Sequence, residues 1–401
     1  MTLKLTRRLQ HQRHILLLLI TALVAFGLLI AFAPLTKINY WGIDLYTFRA
    51  GAKAMALGHT PYDEPNILRF ADGAKVGVIH NFAYAPFFAY ILRPLAWLKP
   101  EAASRLWFMF NLICYFGSIT LLIKAIYWQP SPGTFLLAMI GLILYPPLRT
   151  TLVIGQNTLF LLFWFSLSYF LMKQTHPILS GLSLSLALIK PHLIPLLPFY
   201  AVKRQWKLLA GVAIGILITT LPFLGYMDDW FSSGSSAYSL NIGEGGCFRL
   251  VSLTAMIYCF APPGWPQIII TSLLVIAALW LVLPHFWQNR TPQSPTFDRH
   301  MALVLVIILL LLDNVRIADQ MLLTLPILVI WRDWGIIKDL WLRRLAITLM
   351  TLVYIVPYTV DLLQSYNIAF ILPLWYLALS LAIIGLLLLQ MRLLSLQDQQ
   401  I

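Results

Sequence analysis

Charged residues are scarce in this chain of 401 residues. Asp, Glu, Lys and Arg make up 11% of the sequence, whereas hydrophobic residues make up 60% and the mean hydropathy is +0.80. Soluble domains are about one quarter charged and about one half apolar. The composition therefore excludes an ordinary soluble domain and indicates an integral membrane protein.

Cysteine and the common catalytic motifs are also lacking. The three cysteines, Cys114, Cys247 and Cys259, have no metal-ligand spacing, and their odd number excludes a complete disulfide framework. Free thiols are favoured over a Cys247–Cys259 bridge. No phosphate-cradling glycine loop, Walker lysine, metal-spaced histidine pair or nucleophile elbow is recognisable. The sequence therefore predicts no cofactor and no metal site.

Acidic residues are outnumbered, which gives a formal charge of +13. The basic residues stand singly between apolar runs and form no block or stripe, so the charge indicates membrane lipids as partners and no nucleic acid.

Long apolar runs dominate the sequence. Residues 15–35 are apolar apart from Thr21 and can cross ~30 Å of hydrocarbon, which predicts an uncleaved first helix. With it, the further runs predict one all-α, polytopic transmembrane helical bundle of about twelve spans over residues 1–401. These runs are 82–98, 105–127, 135–148, 157–172, 177–201, 208–226, 267–284, 301–313, 319–331, 345–360 and 369–390.

Lysine and arginine in the connections predict the orientation. With both termini in the cytoplasm, five of the 15 acids (Glu101, Asp298, Asp333, Asp339, Asp398) and eighteen of the 28 bases lie on the cytoplasmic side. Lys173 then falls outside and Lys190 within a span. The eighteen bases are Lys4, Arg7, Arg8, Arg13, Arg93, Lys99, Arg105, Arg149, Lys203, Arg204, Lys207, Arg290, Arg299, Arg332, Lys338, Arg343, Arg344 and Arg392.

Two connections, at about 34–81 and 227–266, are too long to be turns, and both are predicted on the outer face of a plasma membrane. In the first, Asp44 precedes a helix-competent segment that Gly58 can end, which predicts a short amphipathic helix in the interface. Two roles for Asp44 are open. It can act as the N-cap of that helix, or its carboxylate can act on a reacting hydroxyl.

Further polar residues stand out. Tyr62 follows the predicted helix, and Tyr84 opens the second span, where an aromatic belt alone would explain it. Lys190, followed by Pro191 and His192, lies in a span and is either a functional cation or half of a buried pair.

Two later polar stretches also interrupt apolar sequence. Gln156 and Asn157 open a span, where helix-end hydrogen bonding competes with a site role. Two short apolar runs are separated by a stretch that is either a polar turn or part of a site, and it contains Asp313, Asn314, Arg316, Asp319 and Gln320.

The segments "GIDLYTFRAGAKAMALGHTPYD", "FAYAPFFA", "GQNTLFLLFW", "LSGLSLSLALIKPHLIPLLPFYAVKRQWK" and "ADQMLLTLPIL" occur in this order over roughly residues 15–330. This pattern resembles glycosyltransferase family 87, of the GT-C superfamily of polyprenyl-phosphate-sugar transferases. The resemblance implies a GT-C-like helical bundle that transfers a hexose, with mannose expected, from a polyprenyl-phosphate donor to a lipid-linked or cell-envelope glycan. It also implies that the transfer inverts the anomeric centre of the sugar.

The resemblance also implies roles for residues. Asp44 matches the family's general base, and Asp319 matches an aspartate or histidine seven residues before a proline. Where some members carry two adjacent histidines, this chain has Asp319 and Gln320. The predicted phosphate or substrate contacts are Lys190, Arg316, Arg249, Asp319, Gln320, Gln156, Asn157, His192, Tyr62 and Tyr84. A loop at 227–250 is predicted to close over the site.

Two other functions fit parts of the pattern. A transporter or flippase would use charged residues on broken helices, as at Lys190–Pro191 and 314–319. No repeated half is visible, however, and most polar outliers gather at one face. A lipid-glycan ligase or polymerase would normally place its site in a larger late outer loop.

Overall fold

The computed structural model describes residues 42–71, 82–232, 251–262, 264–286, 291–312, 315–341, 343–344, 347–348 and 371–398. Every regular element in these ranges is a helix, which confirms the all-α prediction. The predicted first span at 15–35 lies outside the described residues, as does nearly all of the run at 345–360.

Short and long α-helices alternate along the chain. Short 3₁₀ segments occur at Pro191–Leu193, Leu221–Tyr226, Ile317–Leu323 and Trp334–Ile336. The α-helices are α1 (Ile43–Ala56), α2 (Glu64–Phe70), α3 (Pro86–Ile91), α4 (Arg93–Ala96), α5 (Pro100–Ala125), α6 (Pro132–Ile143), α7 (Pro146–Ile154), α8 (Thr158–Lys173), α9 (Pro177–Ala187), α10 (Leu196–Val202), α11 (Trp206–Thr220), α12 (Leu253–Phe260), α13 (Trp265–Phe286), α14 (Pro295–Leu311), α15 (Thr324–Arg332) and α16 (Ile371–Asp398).

Several helices are long and apolar enough to cross a membrane. Within the described ranges, three helices each meet this condition without a partner helix: Pro100–Ala125, Trp206–Ser232 and Leu377–Leu394. Helices α6 and α7 meet it together, with a bend of 47° between them. Shorter apolar helices, including α8 and α9, add to the bundle. The count of about twelve spans stays a prediction.

Prolines break two of the predicted spans. The run at 82–98 forms the short helices α3 and α4, and Pro94 stands in the first turn of α4. The run at 177–201 ends its first helix at Ala187 and resumes at Leu196, with Pro191 and Pro195 between. Proline lacks the backbone N–H that continues a helix. Lys190 therefore lies at a helix break and not in the middle of a continuous span.

Glycines bring α9 and α11 into close contact. A Cβ atom built on Gly181 would lie 2.0 Å from the carbonyl oxygen of Leu208, and one on Gly211 would lie 2.3 Å from that of Ile178. Such contacts require hydrogen at these positions. Small residues at crossings allow helix backbones to approach within a membrane, where packing replaces the hydrophobic drive.

The bundle has two polar ends. Helix α8 begins at Thr158, whose hydroxyl donates to Asp319 at 3.2 Å, and ends at Lys173, which forms an ion pair with Asp298. Fifteen residues of α-helix separate these contacts by ~22 Å. We call the two ends the Asp319 end and the Asp298 end.

A buried ionic cluster ties the helices together at the Asp298 end. Asp298 binds Lys173, Tyr169 and Arg332, while Asp333 accepts from Arg299 at 2.7 Å and from Arg332 at 2.8 Å. These residues come from α8, from the start of α14 and from the end of α15. The cluster therefore fixes the relative register of three helices.

Helix α5 also runs from the Asp319 end to the Asp298 end. Near its start, the Trp107 indole donates to the Gly155 carbonyl at 2.8 Å. After its end, the Ile126 carbonyl accepts from Arg332 at 3.2 Å. Lys99, directly before α5, and Arg105, within its first two turns, thus lie at the Asp319 end.

The contacts of α7 and α8 extend this result. Arg149 lies between Tyr145, whose hydroxyl donates to the Gln320 carbonyl at 3.2 Å, and Val153, whose carbonyl accepts from the Gly42 amide at 2.8 Å. Arg149 is thus at the Asp319 end, while Lys173 is at the Asp298 end.

The predicted sides of several connections are therefore wrong. The prediction placed Lys99, Arg105 and Arg149 across the membrane from Asp44, and Lys173 across from Asp298. Because the run at 82–98 folds as two short helices and does not cross the bundle, the sides of the connections from 99 to 173 exchange.

Candidate functional site

Two glycines set the start of α1. Gly42 precedes the helix with φ of +72°, and Gly155 ends α7 with φ of +73°. A Cβ atom on Gly155 would lie 3.1 Å from the Leu45 Cβ and 3.2 Å from the Gly42 Cα. Glycine permits both the left-handed backbone and this approach. The start of α1 is thereby held against the turn that leads into α8.

Asp44 lies inside the first turn of α1 and is 7% exposed. The N-cap position belongs to Gly42, so the N-cap interpretation of Asp44 is wrong by two residues. The first-turn position places the Asp44 side chain near the helix N-terminus, which carries partial positive charge. Helix α1 ends as predicted, with Gly58 in the left-handed conformation at φ of +80°.

Helix α1 is more deeply buried than an interfacial helix. Ten of its 14 residues are buried, on both faces. Arg49 donates to the carbonyls of Leu95 and Leu98 at 3.2 and 2.6 Å. The expected amphipathic helix on the membrane surface is therefore a core helix, and its buried guanidinium, that of Arg49, is paired with neighbouring backbone carbonyls.

Lys190 and Asp319 form the centre of the Asp319 end. The Lys190 Nζ lies 2.9 Å from the Asp319 Oδ1 and donates to the Gln156 Oε1 at 3.0 Å. The helix break at Pro191 presents the lysine, and the 3₁₀ segment Ile317–Leu323 presents the aspartate. Residues far apart in sequence thus form one buried ion pair, the structural role considered for Lys190.

Asp319 has three further donors. Its Oδ2 accepts from the Arg316 amide at 3.0 Å and lies 3.3 Å from the His192 Nε2. Its Oδ1 also accepts from the Thr158 hydroxyl. The polar turn between two apolar runs is thus a part of the cluster. The sequence signal for Thr158 was its place directly after Gln156 and Asn157, and the prediction missed it.

Tyr84 forms a wall beside the ion pair. Its ring centroid lies 5.7 Å from the Lys190 Nζ, and its hydroxyl donates to the Gln156 Oε1 at 3.5 Å. The ring also packs edge-on against Phe48 of α1, at 5.0 Å between centroids. An aromatic belt does not account for these contacts, which place Tyr84 inside the polar cluster.

Tyr62 supports this wall from the first loop. Its hydroxyl donates to the Tyr84 carbonyl at 2.8 Å. Burial, with the charge of Asp229 as the second cause, raises the pKa of Tyr62 well above its ordinary range. The hydroxyl therefore keeps its proton and remains a donor at neutral pH.

Tyr84 lies within electrostatic reach of both Asp44 and the ion pair. The charges of Asp44, Lys190, Arg316 and Asp319 all reach its hydroxyl. One carboxylate near two cations and a second carboxylate, around a single aromatic side chain, form a compact site. We call this group the Tyr84 site. It can accept a proton at one carboxylate and bind an anion at the cations.

Asn157 and Gln320 flank the Tyr84 site along the chain. Asn157 precedes α8 between Gln156 and Thr158, and Gln320 follows Asp319. Both are fully buried. Asn157 makes no side-chain cap to α8, so the helix-end role considered for it is not observed. Arg249, the third predicted cation, lies outside the described residues, as do Asp313, Asn314 and residues 233–250 of the 227–250 loop.

An apolar groove adjoins the Tyr84 site. It has a volume of about 370 Å³ and lies between α3, α4, α5 and α8. Its lining residues are Phe88, Ile91, Leu92, Leu95, Leu106, Trp107, Phe110 and Phe160. Phe88 forms a shared wall, because its ring packs against Tyr84 at 5.5 Å between centroids. Exposed side chains, Ile91 and Leu106, mark the open rim.

Together, the apolar helices and the buried charges define an all-helical membrane protein with a polar site at one end of its bundle. The chain belongs to glycosyltransferase family 87, whose model matches residues 82–312, more than half of the chain. The resemblance seen in the sequence is thereby confirmed. The match includes Gln156, Lys190 and His192, while Asp44 and Asp319 lie outside its limits.

The chain is also similar to an alpha-(1->3)-arabinofuranosyltransferase of Corynebacterium glutamicum. The two are 26% identical over 246 residues, which cover 56% of this chain and 57% of the relative. The chain thus matches little more than half the length of this curated relative. Family membership and this likeness support a glycosyltransferase, which takes a sugar from a donor to a glycan acceptor.

Proposed function

We propose that the chain is an inverting glycosyltransferase that moves a sugar from a polyprenyl-phosphate donor to a lipid-linked or cell-envelope glycan. The reaction takes place at the outer face of a plasma membrane. The observation that carries this proposal is the Tyr84 site, where Asp44 and the Lys190–Asp319 pair act on one side chain beside an apolar groove.

Asp44 is the proposed general base. The acceptor hydroxyl oxygen attacks the anomeric carbon as its proton passes to the Asp44 carboxylate. The bond from that carbon to the phosphate oxygen breaks, and its electron pair leaves with the phosphate. A single displacement inverts the anomeric centre. Since phosphate is a good leaving group, no second acid is required.

Lys190 and Arg316 are the proposed cations for the donor phosphate, with Arg249 as a further candidate. An ammonium group has three donors, and Lys190 gives two of them to Asp319 and Gln156. The third is available to a phosphate oxygen. Asp319, with His192 and Thr158, then acts as a positioning residue that holds the lysine in place.

The groove is the proposed site for the isoprenoid tail. Its lining residues are all apolar, and it shares Phe88 with the wall of the Tyr84 site. A lipid phosphate bound at Lys190 can thus keep its tail in an apolar environment. A nucleotide sugar would leave this surface exposed to water.

Charge supports an outward-facing Tyr84 site. When the sides are reassigned from the contacts, Arg93, Lys99, Arg105 and Arg149 join the Asp319 end, and Lys124 and Lys173 join the Asp298 end. If the other basic residues, several of them outside the described residues, keep their predicted sides, sixteen of the 28 are assigned to the side of the Asp298 end. The excess of bases marks that side as cytoplasmic.

Two donor sugars are supported by different observations. The sequence resemblance favours mannose, a hexose. The activity for which the Corynebacterium glutamicum relative is named favours arabinofuranose, a pentose. Either sugar can be joined through its anomeric carbon to a polyprenyl phosphate, so the same site chemistry applies to both, and the test includes both.

The test is transfer of radiolabel from each polyprenyl-phosphate sugar into native membrane lipid extract by the purified full chain. We expect wild type to transfer one label and Asp44→Asn to lose transfer by at least about a hundredfold, since a positioned base contributes ~10²–10⁴-fold. Asp63→Asn is the matched control, because Asp63 is an exposed acid in the same loop region.

The outcomes separate the competing functions. Undiminished transfer by a folded Asp44→Asn variant would leave Asp44 without a catalytic role and direct attention to Asp319. No transfer from either donor by wild type, together with movement of the labelled lipid across vesicle membranes, would support the transporter or flippase instead.

A further inference from the structure

The described part of the chain contains two buried carboxamides whose polar atoms have no protein partner there. Asn157 and Gln320 are each 0% exposed. Neither the nitrogen nor the oxygen of either carboxamide has a hydrogen-bond partner among the described residues. Most buried polar atoms in proteins are paired, and each unpaired one is costly. Four such atoms require an explanation.

Their location connects both carboxamides to the Tyr84 site. Asn157 lies between Gln156, which binds Lys190, and Thr158, which binds Asp319. Gln320 follows Asp319 directly. Its carbonyl accepts from the hydroxyl of Tyr145, the residue before α7, and Asn157 comes three residues after the end of α7. Helix α7 therefore begins beside the segment that carries Gln320 and leads into the turn that carries Asn157, and the Thr158–Asp319 hydrogen bond joins the two segments directly.

The chemistry of the carboxamide selects the class of ligand. Each offers two N–H donors and an acceptor oxygen side by side, and a hydroxyl group both donates and accepts. A phosphate would use the donors and leave the acceptors unpaired. An isoprenoid tail would leave all four atoms unpaired. A ring that carries several hydroxyls can pair donors and acceptors together.

We propose that Asn157 and Gln320 bind the hydroxyl groups of the transferred sugar and determine which sugar is accepted. The proposal rests on the function proposed above. Lys190 is there assigned to the donor phosphate, and the sugar is the group attached directly to that phosphate. Side chains that adjoin the residues around Lys190 are therefore suited to contact the donor sugar.

The test compares wild type with Gln320→Met and Asn157→Leu, which keep much of the side-chain volume and remove the polar atoms. The substrates are the polyprenyl-phosphate sugar that wild type transfers and its monodeoxy analogues. A site whose buried polar groups are paired by a substrate hydroxyl strongly rejects the analogue that lacks it. We expect wild type to favour the full sugar over at least one analogue by about tenfold or more in kcat/KM.

Each variant should lose this discrimination at one hydroxyl. Its ratio of kcat/KM for the full sugar to kcat/KM for the analogue that lacks this hydroxyl should therefore fall about tenfold, toward unity. Its Tm without substrate should equal or exceed that of wild type, because the substitution removes unpaired buried atoms from the free protein. Lower discrimination with undiminished stability is not expected of a purely structural carboxamide.

Gln390→Met is the matched control. Gln390 is also fully buried, donates to the Ile330 carbonyl at 3.2 Å and lies toward the Asp298 end. Its substitution should leave discrimination unchanged. A contrary outcome is that wild type discriminates between the full sugar and an analogue while both site variants keep the wild-type kcat/KM ratios. In that outcome the carboxamides do not recognise the sugar hydroxyls, and only this proposal fails. If wild type transfers no sugar from any donor, the proposed function fails as well.

Discussion

At the scale of single residues, the Lys190–Asp319 pair has a structural and a functional role that substitutions can separate. Lys190→Met leaves the Asp319 carboxylate buried without its nearest cation. Removing one partner of a buried pair costs about 3–5 kcal/mol, so we expect a large fall in Tm. The KM for the polyprenyl-phosphate donor should also rise, because one phosphate contact is lost. Thermal unfolding in detergent and donor kinetics measure the two effects.

The double variant Lys190→Met/Asp319→Asn separates these effects. Neutralising both partners removes the uncompensated charge, so much of the stability should return while the donor KM stays high. Lys124→Met is a suitable control, since Lys124 is exposed on α5. A Lys190→Met protein with the wild-type donor KM would contradict the phosphate role and leave Lys190 as a structural partner of Asp319.

The sequence predicted members of this cluster but not their contacts. Lys190 and Asp319 stood out because ionisable residues are expensive among apolar runs. Their pairing joins positions 129 residues apart, which no local pattern encodes. For Asp44 the local structure was predicted, since its helix was expected from the sequence. Its place in the first turn of that helix was not, because it depends on Gly42 packing against Gly155, a contact between distant segments.

At the scale of elements, the crossing of α9 and α11 should be intolerant of any side chain. Gly211→Ala places a methyl group 2.3 Å from the Ile178 carbonyl oxygen, so the two helices must separate. Overpacking of this kind costs about 1–3 kcal/mol. We expect a clear decrease in Tm and, since α9 leads to Lys190, reduced transfer. Gly181→Ala should behave in the same way.

Gly133→Ala is the control for the helix propensity of alanine. Gly133 also lies in a helix, and a Cβ atom there would meet nothing within 4 Å. Alanine is favoured over glycine in helices, so this variant should be as stable as wild type or more stable. Equal behaviour of Gly211→Ala and Gly133→Ala would mean that α9 and α11 do not pack as closely as the structure shows.

Helices were predictable as a class, because long apolar runs leave few alternatives in a membrane. Their breaks were less predictable. The run at 82–98 has the length and hydropathy of a span, but Pro86 and Pro94 divide it into two helical pieces. Composition shows how apolar a segment is. Whether the segment crosses the membrane as one helix depends on where proline interrupts the backbone hydrogen bonds of that helix.

At the scale of the whole molecule, that break determines which connections share a side of the membrane. If the run at 82–98 crossed the membrane, Glu101 would lie across from Asp63. The contacts of α5 instead place Glu101 at the Asp319 end together with the first loop. Lys338 follows Asp333, a member of the Asp298 cluster, and belongs to the other side.

Single cysteines test this arrangement. In a background with Cys114, Cys247 and Cys259 replaced by serine, Asp63→Cys, Glu101→Cys and Lys338→Cys each expose one thiol, because all three positions are exposed. With a membrane-impermeant maleimide on intact cells, we expect labelling of the first two proteins. The third should be labelled only after permeabilisation.

The parent without cysteine should remain unlabelled throughout and should retain transfer activity. Labelling of Glu101→Cys only after permeabilisation, with Asp63→Cys accessible from outside, would restore 82–98 as a crossing segment and overturn the path of α5. Shared accessibility of Glu101 and Asp63 would instead place the groove rim, the first loop and the Tyr84 site at one membrane face. That is the arrangement a lipid-linked donor and a polar acceptor require in order to meet.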